Sequence, residues 1–382
     1  MLLIKNGHVK TMVGADIENG CVLIDDNGKI AAVGACVEAP AGAQVIDACG
    51  ALVTPGCVDA HCHIGLDNTA MRWEGMDYNE IVEPVTPQLR AIDSINPMDE
   101  SFPNALRGGV TTAVTGPGSA NVVGGTFVAI KLAGKRVDNM IVKNPVAMKV
   151  AFGENPKGCY GNNKKSPMTR MAVVALLREL LFKTKRYMED KEAGKNPAFD
   201  MKLEAMIPVL KGEIPLKAHA HRADDILSSI RVAKEFGVKL TLDHCTEGHL
   251  IVDELVKEGY PAFVGPSFGK KSKIELRNKT FDTAKILNEA GMTISIITDA
   301  PVIPLENLPM CAAMAVAAGL KEEEAWKAIT INSANSTGIG DRVGSLEVGK
   351  DGDVVVWTAD PMHVVGAHAK ITVVDGKVVH EE

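Results

Sequence analysis

The sequence predicts an α/β fold, a (β/α)8 TIM-type barrel with a small β-sandwich domain built from both chain termini. Three observations predict it. The chain of 382 residues suits a barrel of roughly 250–300 residues plus a small second lobe. Its two ends share a texture of short strands and turns, and its middle alternates short apolar strands with helices.

At the N-terminus, LLIKNGHV, CVLIDDNGKIAAVG and AQVIDACG are apolar stretches broken by Asn-Gly, Gly-Lys and Cys-Gly turn signals. At the C-terminus, GDVVVW and KITVVDGKVVHEE repeat the pattern, with a hairpin signal at Asp375-Gly376. Neither piece can bury a sheet face alone, so residues 1–52 and 343–382 are expected to form one β-sandwich around a barrel of residues 53–342.

Within the barrel, the expected strands are ALVTPGCVDAH, GVTTAVTG, VAMKVAFG, IPLKAHA, VKLTLDH, PAFVGP and MTISIIT, with the third of eight near Gly125–Leu132. Helical stretches end at Gly212, Gly237, Gly259, Gly291 and Gly319, where a C′ glycine belongs. A helix over 167–193 is expected to start at Ser166-Pro167. This alternation implies parallel strands with crossover helices.

Composition narrows the function. The chain is 46% hydrophobic and 23% charged, with a formal net charge of −7 and no basic stripe, so no nucleic-acid partner is expected. MLLIKNG is too short for a signal h-region, and the apolar run near Met310–Leu320 is too short to span a bilayer. A cytoplasmic protein outside the membrane is expected, with homo-oligomerisation left open. The eight cysteines are scattered without a C-x-x-C pair and read as reduced core residues.

The sharpest feature is VDAHCHIG, where His61 and His63 share one face of a strand and can converge on one cation. Alone, an H-x-H pair is a weak signal. Further candidates stand at other strand ends: Glu154 in VAFGEN, His219 and His221 in LKAHAHR, His244 in LTLDHC and Asp299 in ISIITDAP. Imidazoles and carboxylates from separate strand ends are what a catalytic zinc-type site requires. The glycine-rich stretches TGPGSANVVGG and VGPSFGKKS are expected to line its pocket, and ENPKGCYGNNKKSPMTR to form a flap.

These motifs resemble the amidohydrolase superfamily, particularly its imidazolonepropionase-like and prolidase-like branch. The resemblance runs over nearly the whole chain, from PGCVDAHCHIG through GGVTTAV to TINSANSTGIGDRVGSLEVGKDGDVVVW. It implies two divalent metal ions, with zinc the expected element. His61 and His63 correspond to ligands of the more buried metal, and His219 and His244 to ligands of the second. Asp299 corresponds to the eighth-strand aspartate, both ligand and general base. The bridging ligand is Glu154 or a carboxylated Lys149. Glu154 is favoured, because a short carboxylate has to stand at the strand end where the metal lies.

The implied activity is hydrolysis of an amide or other C–N bond by a metal-activated hydroxide. The expected substrate is a small molecule: a dipeptide, an N-acyl amino acid or a cyclic amide. His221 is expected to contact substrate or to hold a ligand in place, and Arg222 to clamp a substrate carboxylate. The alternative is a deaminase of a nucleobase-like heterocycle. FGEN resembles adenine deaminases, although adenosine and cytosine deaminases carry an acidic residue where this chain has Arg222. A non-catalytic scaffold relative is the reading from another class, and metal content separates it from both.

Overall fold

The computed structural model describes residues 1–382. The chain opens with β1 (Leu2–Val9), β2 (Ile17–Ile24), β3 (Ile30–Gly34), β4 (Gln44–Asp47) and β5 (Leu52–Pro55). The barrel strands follow as β6 (Cys57–Cys62), β7 (Val110–Thr115), β8 (Val123–Lys131) and β9 (Ile141–Ala151). They continue as β10 (Leu216–Ala220), β11 (Leu240–His244), β12 (Ala262–Val264) and β13 (Ile294–Ile296). The chain closes with β14 (Val354–Trp357), β15 (Ala369–Val374) and β16 (Lys377–Glu381).

Both chain ends enter one sheet, in the order β16-β15-β14-β5-β1-β2-β3, with β4 also paired to β1. Leu2, Ile4, Val22 and Ile24 from one end pack with Val354, Val356, Ile371 and Val373 from the other. The predicted hairpin turn is present, with Asp375 at φ 47° and Gly376 at φ 74° between β15 and β16. The run ALVTPGCVDAH is two strands rather than one. β5 pairs with β14 in the terminal sheet, whereas β6 opens the barrel. The break falls at Gly56, where a Cβ would lie 2.0 Å from Thr111 Oγ1.

The barrel sheet runs β13-β12-β11-β10-β9-β8-β7-β6 and is nearly closed. At the seam, His63 N–H donates to Ala300 O at 2.8 Å and Asp299 N–H to His61 O at 3.2 Å. The expectation of uniformly parallel strands needs correction. β6 and β7 are parallel, and so are β9 through β13, but β8 runs antiparallel to both neighbours. No α-helix follows β7 or β8, and two short connections suffice because an antiparallel neighbour needs no crossover. The β7–β8 connection, residues 116–122, therefore lies at the same end as the C-terminal ends of β7 and β9, with Val123 paired to Val150.

Several local expectations also change. The long helix Arg170–Glu192 starts at Thr169, whose hydroxyl accepts from Ala172 N–H at 3.1 Å, and not at Ser166-Pro167. The expected flap contains a helix, Glu154–Gly161. Gly237 and Gly259 do end their helices in the left-handed conformation. All eight cysteines are unpaired, but Cys36 and Cys49 are exposed and Cys159 is half-buried, so only the other five are core residues. No helix is long and apolar enough to cross a membrane.

A buried ionic cluster joins the two sheets. The Lys131 ammonium, at the end of β8, lies 2.5 Å from Asp353, 3.0 Å from Asp351 and 3.3 Å from Asp375. Asp351 also pairs with Arg342 and Lys29, but Lys131 is the cation paired with Asp353. Lys131→Met strands that buried carboxylate. Denaturant unfolding is expected to show a loss of about 3–5 kcal/mol, and a loss below about 1 kcal/mol would mean that the cluster is not an energetic link.

Candidate metal centre at the barrel mouth

Strand alternation sets the first donors. Asp59, His61 and His63 follow one another at intervals of two along and just beyond β6, and all three are buried. His61 Nε2 and His63 Nε2 lie 3.3 and 3.2 Å from the same oxygen, Asp299 Oδ1. The His63 Nδ1–H donates to Gly116 O at 2.7 Å, which leaves Nε2 as the free nitrogen. His61 Nδ1 faces Asp243 Oδ2 at 2.8 Å, an ion-pair distance without hydrogen-bond alignment. Asp299 follows β13 with φ 53°, a strained backbone for a non-glycine residue that turns the chain across the barrel mouth.

A second group comes from β10 and β11. Each ring is fixed through Nδ1: His219 to Ser119 Oγ at 2.9 Å, His221 to Thr246 Oγ1 at 2.7 Å and His244 to Gly265 O at 2.7 Å. The three Nε2 atoms are buried without any hydrogen-bond partner, and one donor atom from each ring lies within 4.8 Å of the others. His61, His244 and Asp299 form another such group. A buried polar atom left unpaired costs about 1–3 kcal/mol. Three orphaned nitrogens gathered within 4.8 Å of one another therefore fit a cation, and the residues suit a divalent metal ion.

Electrostatics agree with that fit. Burial lowers the pKa of His61 to about 3, and nearby Lys149 and Lys217 act in the same direction. Burial, reinforced by neighbouring His244, holds His219 and His221 well below the usual histidine range. Neutral imidazole is the form that binds metal. Burial raises the Asp299 carboxyl, but His244, His61 and His63 outweigh it and hold the group well below the usual carboxylate range. Lys149 is fully buried, with Nζ 3.3 Å from His61 Nε2. Burial lowers its pKa to about 8, against the opposing pull of Asp243 and Asp299.

Most predicted residues meet here, but two do not. The Glu154 carboxylate accepts from Glu275 N–H at 3.0 Å, and Glu154 N–H donates to Glu275 Oε2 at 3.0 Å. Gly153, at φ 80°, turns the chain into the helix Glu154–Gly161, so the glutamate expected at the strand end belongs to the helix. Arg222 forks onto Asp224 at 2.8 and 3.0 Å at the start of the helix Ala223–Phe236, and it lies outside the cleft. His221 joins the imidazole group directly. Both glycine-rich stretches line the cleft as expected, through Gly118 and Ser119 and through Pro266 and Gly269.

Sequence reasoning missed three buried carboxylates. Asp59 accepts from Thr298 Oγ1, Thr298 N–H and His61 N–H at 2.5, 3.0 and 2.9 Å. Asp243 pairs with Lys217 at 3.2 Å as well as facing His61. Glu275 lies 3.6 Å from His219 Nε2 and 3.5 Å from His221 Nε2. Asp59 shares the face of His61 two residues on, a signal the sequence carried. Glu275 sits in the charge-rich KKSKIELRNK, which reads as a solvated loop.

Comparison with known proteins places the chain in a family. The Amidohydrolase family profile matches residues 52–379, and the chain belongs to that family, a hydrolase acting on C–N bonds. It is 41% identical to an amidohydrolase from Thermotoga maritima over the full length of both chains, with a TM-score of 0.96. It is 28% identical to amidohydrolase tasK from Hapsidospora irregularis across 93% of this chain, which spans only 38% of that relative's length. Imidazolonepropionase from Bacillus velezensis is 26% identical over 88% of this chain and 83% of its own. A putative prolidase from Bifidobacterium longum shares the fold, with a TM-score of 0.63 at 18% identity over 99% and 94% of the two chains.

The buried histidines make a prediction about the metal-free protein. His61 titrates near 6.5 when unfolded and at about 3 when folded. The unfolded chain therefore binds more protons between those values, and stability falls as pH falls. From pH 7 to pH 5, His61 alone accounts for about 2 kcal/mol of lost stability, with His219 and His221 shifted in the same direction. The Tm of metal-free protein is expected to drop across this interval. A constant or rising Tm would contradict buried neutral imidazoles.

Proposed function

We propose that the chain is a metal-dependent hydrolase that cleaves an amide or related C–N bond in a small substrate. Its metal-binding side chains are His61, His63, His219, His244 and Asp299, and its ions are two zinc ions. The observation that carries this reading is the convergence of buried, partnerless Nε2 atoms, each on a ring anchored through its other nitrogen. Bound divalent ions would supply Lewis acidity and bring the pKa of water towards neutrality.

Lys149, rather than Glu154, is the candidate bridging group. Its amine stands 3.3 Å from His61 Nε2 with no solvent around it. Addition of carbon dioxide at Nζ, with loss of one proton, turns that amine into a carboxylate donor. Asp299 is the base: Oδ1 stands beside both first-strand imidazoles, and the residue lines the cleft. It takes a proton from the attacking water and delivers it to the leaving nitrogen, which departs as a neutral amine.

A cleft of about 590 Å3 suits a small molecule. Lys270 and Lys279 on its wall, neither paired with a carboxylate, favour a substrate with a carboxylate, despite the net charge of −7. A dipeptide, an N-acyl amino acid or a cyclic amide fits that description, and the likeness to imidazolonepropionase and to a putative prolidase supports the same range. The deaminase reading leaned on Glu154, whose carboxylate is committed to the Glu275 backbone.

The test is an assay of zinc-reconstituted protein against these three substrate types, with ammonia release scored separately. Asp299→Asn is expected to cut kcat by about 10²–10⁴-fold while retaining most of the metal. Residual activity above about a tenth of wild type would remove Asp299 as the base. Lys149→Met is expected to lose metal and activity, and Glu154→Gln to keep both. The reverse pattern would return the bridging role to Glu154.

A further inference from the structure

We infer that His221 and Glu275 are direct ligands of the cation held by His219 and His244, adding one imidazole nitrogen and one carboxylate oxygen to that site. The inference rests on the metal-dependent reading above and extends it to two residues. His221 Nε2 is as buried and as partnerless as the Nε2 atoms of His219 and His244, and all three rings belong to one group of converging donors. A residue meant only to contact substrate has no need of a nitrogen turned into that group.

Glu275 is placed by the same logic. Its Oε1 lies 3.6 Å from His219 Nε2 and 3.5 Å from His221 Nε2. These separations are too long for hydrogen bonds, which run to about 3.2 Å. Donor atoms on one tetrahedral ion, with bonds of about 2.0–2.2 Å, lie roughly 3.3–3.6 Å apart. The carboxylate therefore stands at ligand spacing from two imidazoles rather than at bonding distance to them.

Its orientation is fixed independently. Oε1 accepts from Lys273 Nζ at 3.0 Å, and Oε2 accepts from Glu154 N–H at 3.0 Å. A carboxylate oxygen has two lone pairs, so the lysine leaves one on Oε1 for a cation. Glu275 is buried at 1% exposure within a segment that otherwise carries Lys270, Lys271, Lys273, Arg277 and Lys279. A carboxylate buried in so cationic a loop, and aimed at orphaned imidazoles, is what an additional ligand requires.

The experiment uses the full chain loaded with Co2+, a spectroscopic substitute for zinc. His221→Cys and Glu275→Cys each put a thiolate in place of a proposed ligand, and each is expected to add a thiolate-to-cobalt charge-transfer band in the near ultraviolet. The wild type should lack the band, and so should Asn155→Cys, which places a thiol at the cleft wall outside the proposed set. Circular dichroism checks that each variant folds. As a measurement that needs no cysteine, Glu275→Gln is expected to change the visible cobalt d–d bands, whereas Glu154→Gln is not. Cobalt bound without a charge-transfer band in either cysteine variant, or with d–d bands unmoved in Glu275→Gln, would overturn the inference and leave the metal-dependent reading standing. Failure of the wild type to bind cobalt or zinc would overturn that reading itself, and this one with it.

Discussion

The buried Asp59 carboxylate ties the first barrel strand to the last, and the geometry of the site depends on that tie. It accepts from His61 N–H on one side and from both Thr298 donors on the other. Thr298 immediately precedes Asp299, so one carboxylate sets the relative positions of the β6 histidines and the aspartate opposite them. Burial pushes the Asp59 pKa up to about 6, against the opposing pull of the Thr298 and His61 hydrogen bonds. The seam hydrogen bonds between His61, His63, Asp299 and Ala300 extend the same connection along the mouth. The β6 histidines and Asp299, from the two ends of the sheet, meet only because this seam closes.

The reversed strand β8 answers a different need. In an all-parallel barrel, the connection after β7 leaves the mouth through a crossover helix. Here it stays at the mouth as residues 116–122 and provides Gly116 O for His63 and Ser119 for His219. Two of the imidazoles are thus oriented by a single short loop. Farther down, Lys217 and Asp243 form a buried pair under His61, which lets the barrel interior hold charge without leaving it unpaired.

Much of this was legible in the sequence because strand periodicity is strict. The spacing of His61 and His63, and of His219 and His221, carried the side chains to one face, and glycine-bounded apolar runs carried the strand ends. The same rule, fully applied, argued against Arg222: if His221 points inward, its neighbour points outward, as it does. Glu154 lies away from the expected strand end for another reason. FGEN follows a strand, but Gly153 turns the backbone at φ 80°, and periodicity does not extend through such a turn. β8 lay near the expected position, yet its direction was invisible, since an apolar run reads the same both ways. Glu275 left no local trace at all, because its burial is set by a tertiary contact with the start of the Glu154–Gly161 helix.

Anomalous X-ray diffraction from zinc-loaded crystals, with data on both sides of the zinc edge, tests most directly whether strand-end side chains hold divalent metal at the barrel mouth. The account predicts peaks about 2.0–2.1 Å from the Nε2 atoms of His61, His63, His219 and His244, with Asp299 in contact. An empty mouth in zinc-loaded crystals, or zinc bound only at surface carboxylates and histidines such as Glu322 and His363, would contradict it.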